Sequence, residues 1–276
     1  MKVVLVVRNF LTHHYLPLCL ELYKKLGDDF KFVSNKKIYD WRLELGFEDL
    51  DKKYDFVIRS YESNEEKIKA NKLILESDIV IVGETTNDAI EERLKEDKLT
   101  LRYSYRPFLI RDGYLNTLKK IYNLHIKYRK NKNLYLLAIN GFANEEFKIL
   151  KLYNNKIYKW GYFISPNNEK LDKLLEIKNK NKIIKIIWVA RFIKWKHPEI
   201  VIKLAKNLKN KNIKFKIEML GTGKLIDKIK EEVINNKLDD VINIVGKVPS
   251  DKVNNYMKKA NIFIGTSSKE EGWELL

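Results

Sequence analysis

Four short segments in the second half of the chain carry residue types suited to phosphate chemistry, and each follows an apolar run. After IIWVA (186–190) comes Arg191, with Lys196 five residues on. FKIEML (215–220) is followed by Gly221-Thr222-Gly223, and INIV (242–245) by Gly246-Lys247-Val248. NIFIG (261–265) is followed by Thr266-Ser267-Ser268-Lys269-Glu270-Glu271-Gly272-Trp273. Arg191 can present its planar guanidinium fork to phosphate oxygens, while Lys196 adds a point charge. Backbone amides after Gly272 can cap phosphates at a helix start. Each feature also has a plainer reading. The cations are two of 54, the glycines permit tight turns at positive φ, and Glu270 and Glu271 form a solvated acidic loop.

The elements that must position these segments alternate strictly. From residue 182, strands are expected at 183–189, 215–220, 241–245 and 262–265, with helices at 198–208, 224–237 and 251–259. Short apolar runs separated by amphipathic helices build a parallel sheet covered on both faces, and ligands bind beyond the carboxyl ends of its strands. All four segments lie at such ends. The first half repeats the plan, with strands at 3–7, 30–34, 55–59, 78–82, 99–103 and 134–139 and an aromatic strand at 158–163. Helices are expected there at 15–26, 65–76, 87–95 and 115–129. The expected fold is α/β with two Rossmann-like doubly wound parallel-sheet domains, at 1–165 and 182–276, joined by a polar, lysine-rich linker at 166–181.

Bulk properties narrow the class. At 276 residues, 45% hydrophobic and 12% aromatic, the composition is globular. The single cysteine, Cys19, excludes an internal disulfide framework and a cysteine-clustered zinc site. The run after Met1-Lys2 is too short for a signal peptide and reads as a buried strand; no apolar stretch is long enough to cross a bilayer. The expected location is cytoplasmic, with peripheral attachment at the inner face of the membrane. The net charge of +17 attracts polyanions, although its lysines are spread along helix faces in a Lys/Asn/Ile-rich chain. Nucleic acid is not an expected partner, because arginine-rich stripes interleaved with aromatics are missing.

From about 182 to 273, the order and spacing of the four segments resemble the donor-binding domain of glycosyltransferase family 4, retaining enzymes of the GT-B fold. The resemblance rests on Arg191 with Lys196, the Gly221-x-Gly223 turn, the Gly246-x-Val248 turn and the Ser268-x-x-Glu271-Gly272-Trp273 loop. It implies a nucleotide-diphosphate sugar as donor substrate and a glycan or lipid-linked acceptor, in synthesis of a surface polysaccharide. Arg191, Lys196, Gly272 and Trp273 would face the diphosphate; Gly221, Gly223, Gly246 and Val248 would line the nucleotide. Glu271 would hold the donor sugar as the catalytic-site carboxylate, accepting two hydroxyls at once. No cofactor and no metal are expected, since side chains and dipoles neutralise the diphosphate in this fold. The chain departs from the family at His197 and Glu274, where glycines are usual. A second family glutamate would lie past Leu276, so the chain is expected to stop inside its second domain and to catalyse weakly.

In the first half, His13 and His14 after the first strand, and Glu84 after the strand at 78–82, are the acceptor-side candidates. Surface and capping roles are open for all three. A sugar-nucleotide 2-epimerase of the same fold and a non-catalytic nucleotide-sugar binder are the alternative functions.

Overall fold

Val3–Val7 is buried along its whole length, so an uninterrupted valine- and leucine-rich run forms this strand where an alternating one would not. In the computed structural model of the chain it is β1, an interior strand of a parallel sheet. The structure describes residues 1–83, 85, 87–108, 113–153, 156–164, 172, 175, 176, 178 and 183–268. Over these, the chain divides into two units: one holds 1–39 and 48–164, the other 40–47 and 172–268.

The first unit follows β1 with α1 (Leu16–Leu26), β2 (Phe30–Ser34), β3 (Val57–Arg59), α2 (Asn64–Glu76), β4 (Ile79–Val82), α3 (Asp88–Lys95) and β5 (Thr100–Ser104). Then come α4 (Tyr114–Tyr128), β6 (Leu134–Ile139), α5 (Gly141–Ile149) and β7 (Ile157–Trp160). Among the described residues seven strands pair in the order β3-β2-β1-β4-β5-β6-β7, every pair parallel. The chain winds outward from β1 in one direction and from β4 in the other, which places the switch point between those two strands. Right-handed crossovers then put α2 to α5 on one face and α1 on the other. The two apolar clusters follow that division: Ala70, Ile90, Leu124 and Phe147 share one, and Cys19, Phe30 and Phe56 the other.

Side-chain caps fix several helix starts. Ser63 accepts from the Glu66 amide and Asn87 from the Ile90 amide. Helix α5 was not expected. It starts straight after β6 at Asn140-Gly141, a pair that reads as a turn, with Asn140 at φ +80° accepting from the Phe142 and Ala143 amides. The aromatic strand is also shorter than expected, ending at Trp160. At the amino edge, Arg93 of α3 is fully buried and donates to the carbonyls of Ile74, Ser77, Asp78 and Leu99 and to Thr100 Oγ1.

The second unit builds β8 (Ile184–Val189), α6 (Glu199–Asn210), β9 (Phe215–Leu220), α7 (Ile226–Asn235), β10 (Ile242–Gly246), α8 (Ser250–Lys259) and β11 (Ile262–Phe263). Among the described residues its four strands pair in the order β10-β9-β8-β11, all parallel. Val201, Ile202 and Ala205 of α6 and Ile229 and Val233 of α7 lie at helical spacing and pack on Trp188, Ile217 and Met219 of the sheet. The switch point here falls between β8 and β11.

Candidate functional site

At the carboxyl end of β8, the chain leaves the sheet through Ala190 and forms a single 3₁₀ turn at Lys194–Lys196. Three contacts tie β8 and this turn to the segment after β11. Trp188, buried inside β8, donates from Nε1 to Thr266 Oγ1 at 2.8 Å. The Thr266 hydroxyl in turn donates to the Lys196 carbonyl, and the Ser268 amide donates to the Trp195 carbonyl at 2.9 Å. Arg191 is exposed, with its guanidinium carbon 5.8 Å from the Trp195 ring centroid, an arrangement that holds a cation over an aromatic face. Among the described residues, the Ser268 hydroxyl is buried and has no hydrogen-bond partner.

Gly221 and Gly223 lie against this turn. The amides of Ala190 and Phe192 donate to the carbonyls of Leu220 and Thr222, and the Leu225 amide donates back to Phe192. A Cβ on Gly221 would sit 1.9 Å from the Ala190 carbonyl oxygen, and one on Gly223 2.5 Å from that of Phe192. Both glycines also have positive φ, +130° and +153°. Their absent side chains allow the β8 and β9 loops to run backbone against backbone. Gly246 joins the set through its carbonyl, which accepts from the Gly221 amide at 2.8 Å. Val248 is half-buried and packs against the cluster of Ile187, Leu220 and Ala260.

His197 ends the 3₁₀ turn in the left-handed region, at φ 46° and ψ 54°. Its Nδ1 lies 2.9 Å from Glu199 Oε1 in the first turn of α6. Burial works against the Glu199 carboxylate, but its own amide and His197 outweigh it and hold the carboxyl below its ordinary range. The structure thus brings together Arg191, Lys196, Gly221, Gly223 and Gly246 at the carboxyl ends of three adjacent strands. Glu271, Gly272 and Trp273 lie outside the described residues. The sequence reading missed Trp188 and Thr266, whose roles depend on pairing two strands far apart in the chain.

In the first unit, the 8–14 loop leaves β1 at its switch point. The exposed His13 ring lies 3.7 Å from that of His14, whose ring is 5.0 Å from Tyr162 just past β7. The Phe163 amide donates to the His14 carbonyl, and the hydroxyls of Tyr15 and Tyr103 are 2.9 Å apart. Beneath the loop, the fully buried Asp51 accepts from the Leu11 amide at 2.8 Å, Ser34 Oγ at 2.9 Å and the Tyr61 hydroxyl at 3.3 Å. Burial raises its carboxyl above the ordinary value, against those donors. No sequence signal pointed to Asp51, a single carboxylate among several nearby. Glu84 lies outside the described residues.

Residues 167–273 match the family model for glycosyl transferases group 1. Over 105 residues the chain is 36% identical to MJ1069 of Methanocaldococcus jannaschii, an uncharacterised glycosyltransferase. That match covers 37% of this chain and 26% of the relative, so the chain spans about a quarter of that protein's length. Among solved structures, Anabaena Alr3699/HepE in complex with UDP is similar with a TM-score of 0.63 at 11% identity, over 97% of this chain and 74% of that one. A glycosyltransferase from Rickettsia africae follows with a TM-score of 0.58 at 21% identity, over 96% and 73%. At these identities the structures share the fold.

Proposed function

We propose, from the premise that the domain at 167–273 belongs to the glycosyl transferases group 1 and that the fold is GT-B, that the chain transfers a sugar from a nucleotide-diphosphate donor. The acceptor would be a glycan or a lipid-linked saccharide in the assembly of a surface polysaccharide. The observation that carries this reading is the lacing of the β8, β9 and β11 loops around Arg191 and Lys196 at a switch point. The UDP bound in the Anabaena structure supports it by likeness of fold.

During transfer, the bond from the anomeric carbon to the diphosphate breaks and leaves its electron pair on the departing oxygen. The acceptor hydroxyl oxygen bonds to that carbon and releases its proton. Arg191 and Lys196 stand ready to stabilise the charge that develops on the diphosphate, and the Trp188–Thr266–Lys196 chain holds their turn in place beforehand. In this reading no metal is needed for that task. The unpartnered Ser268 hydroxyl would turn to an oxygen of the donor, and Glu271 would hold its sugar. Gly221, Gly223, Gly246 and Val248 would form the backbone wall beside the nucleotide, and His13 and His14 would meet the acceptor.

Titration calorimetry with UDP and GDP tests the donor site. Arg191→Ala and Lys196→Ala should each weaken nucleoside diphosphate binding by about 1–3 kcal/mol, the range for a lost charge-assisted contact. Parent-like binding by both variants overturns the assignment.

A further inference from the structure

His197 occupies the one place in the cationic turn that suits its side chain least. At φ 46° and ψ 54° the backbone is left-handed, a conformation that a β-carbon crowds and that glycine adopts freely. Residues held in this way gather at functional sites, where the side chain does something that glycine cannot. Stability does not account for it. Among the described residues its side-chain partner is Glu199, Nδ1 to Oε1 at 2.9 Å, and the two side chains are 34% and 40% exposed. Ion pairs so open to water contribute little. A cation at this place also meets the positive end of α6, which starts at Glu199.

The pair does, however, settle the state of the imidazole. Burial opposes the Glu199 carboxylate, yet its own amide, His197 and Lys203 hold the carboxyl below its ordinary range. It is therefore ionised at neutral pH and can only accept a hydrogen bond. Nδ1 carries the proton between them, the ring is oriented, and Nε2 has no hydrogen-bond partner among the described residues. The loop that presents this ring runs from Arg191 to Pro198 with Arg191, Lys194 and Lys196 in it and no acidic residue. Lys196 is the immediate neighbour of His197, and Arg191 stands over Trp195.

We propose that His197 is a third phosphate ligand of the donor site, its Nε2 donating to a diphosphate oxygen while Glu199 holds Nδ1. In that contact each ring nitrogen carries a proton, and the imidazolium lies between two anions, the carboxylate and the diphosphate. Glu199 is then a positioning residue. The proposal rests on the reading of this turn as the donor site, and it adds a fixed donor where charge develops during transfer.

Titration calorimetry with UDP and NMR of the histidine rings, both on the full chain, test it. The chain has four histidines, so the His197 signal is identified by its loss in His197→Asn. Saturating UDP should shift that signal and leave the signal of His125, in α4, where it was. His197→Gly and His197→Asn both suit a left-handed backbone, and each should bind UDP about tenfold more weakly, the effect of one lost charge-assisted hydrogen bond. Glu199→Gln keeps an acceptor for Nδ1 and should lose less. Thermal unfolding of His197→Gly should match the parent, because the relaxed backbone offsets the lost pair. A histidine that served structure alone would give the opposite result, lower stability with UDP binding intact. Arg191→Ala is the reference. If it weakens UDP binding while both His197 variants bind like the parent, or if the His197 signal ignores UDP, the His197 contact is absent and the donor site stands. If the parent binds neither UDP nor GDP, the donor site falls and the His197 contact with it.

Discussion

The indole nitrogen of Trp188 and the hydroxyl of Thr266 meet at 2.8 Å across the switch point of the second sheet. Because that hydroxyl also donates to the Lys196 carbonyl, one oxygen joins β8, the segment after β11 and the 3₁₀ turn. The cationic turn is thereby tied to the sheet through a strand seventy-odd residues away in the chain.

Thr266→Val removes the hydroxyl at nearly constant volume and leaves the Trp188 N–H and the Lys196 carbonyl without their shared partner. Denaturant unfolding should show a loss of about 1–3 kcal/mol, with Thr266→Ser close to the parent. Equal stability of the valine variant would show that water replaces the hydroxyl at no cost.

Gly221→Ala should be severely destabilising, since its Cβ meets the backbone oxygen of Ala190, which has no flexible end to move aside. Gly223→Ala meets Phe192 in the same way. A loss of about 3 kcal/mol or more is expected for each, beyond the cost of positive φ alone. Thermal unfolding checks this, and a shift of only a degree or two would contradict the close approach of the two loops.

Much of the second unit was legible because its strands are continuous apolar runs and its helices keep a clean 3.6-residue period. The strand at 215–220 matches the expectation residue for residue, as do those at 3–7, 30–34 and 134–139. The site was legible only in part. Arg191 and Lys196 could be found by position after a strand, whereas the Trp188–Thr266 bond depends on which strands become neighbours. His197 stood out as a departure from a family glycine, and its left-handed backbone explains why glycine suits that place. Helix α5 was hidden because Asn140-Gly141 carries turn chemistry, here used to cap a helix.

Asp51 should give the first unit a recognisable pH dependence. Its folded-state carboxyl titrates above the ordinary 3.8, chiefly through burial, so the folded protein holds that proton longer than the unfolded chain. The resulting stabilisation is full below the ordinary value and is lost as pH rises through the raised one. Asp51→Asn keeps an acceptor for the Leu11 amide and does not titrate. Its stability relative to the parent should therefore increase with pH across that window and then level off. A difference that stays flat with pH would rule out Asp51 as the source. Asp51→Ala should lose about 1–3 kcal/mol by leaving the Leu11 amide and the Ser34 hydroxyl unpaired.

Arg93 ties three separate segments of the first unit to one another at the amino edge of the sheet. The acceptors of its five N–H groups come from the end of α2, the approach to β4 and the start of β5. None of these segments can peel away alone without stranding part of a buried cation. Burial already pulls the guanidinium below its ordinary value, with Asp78 and Glu96 opposing. Opening either strand at this edge strands part of a buried cation, so the amino-end amides of β4 and β5 should exchange with solvent deuterium together, in one cooperative block.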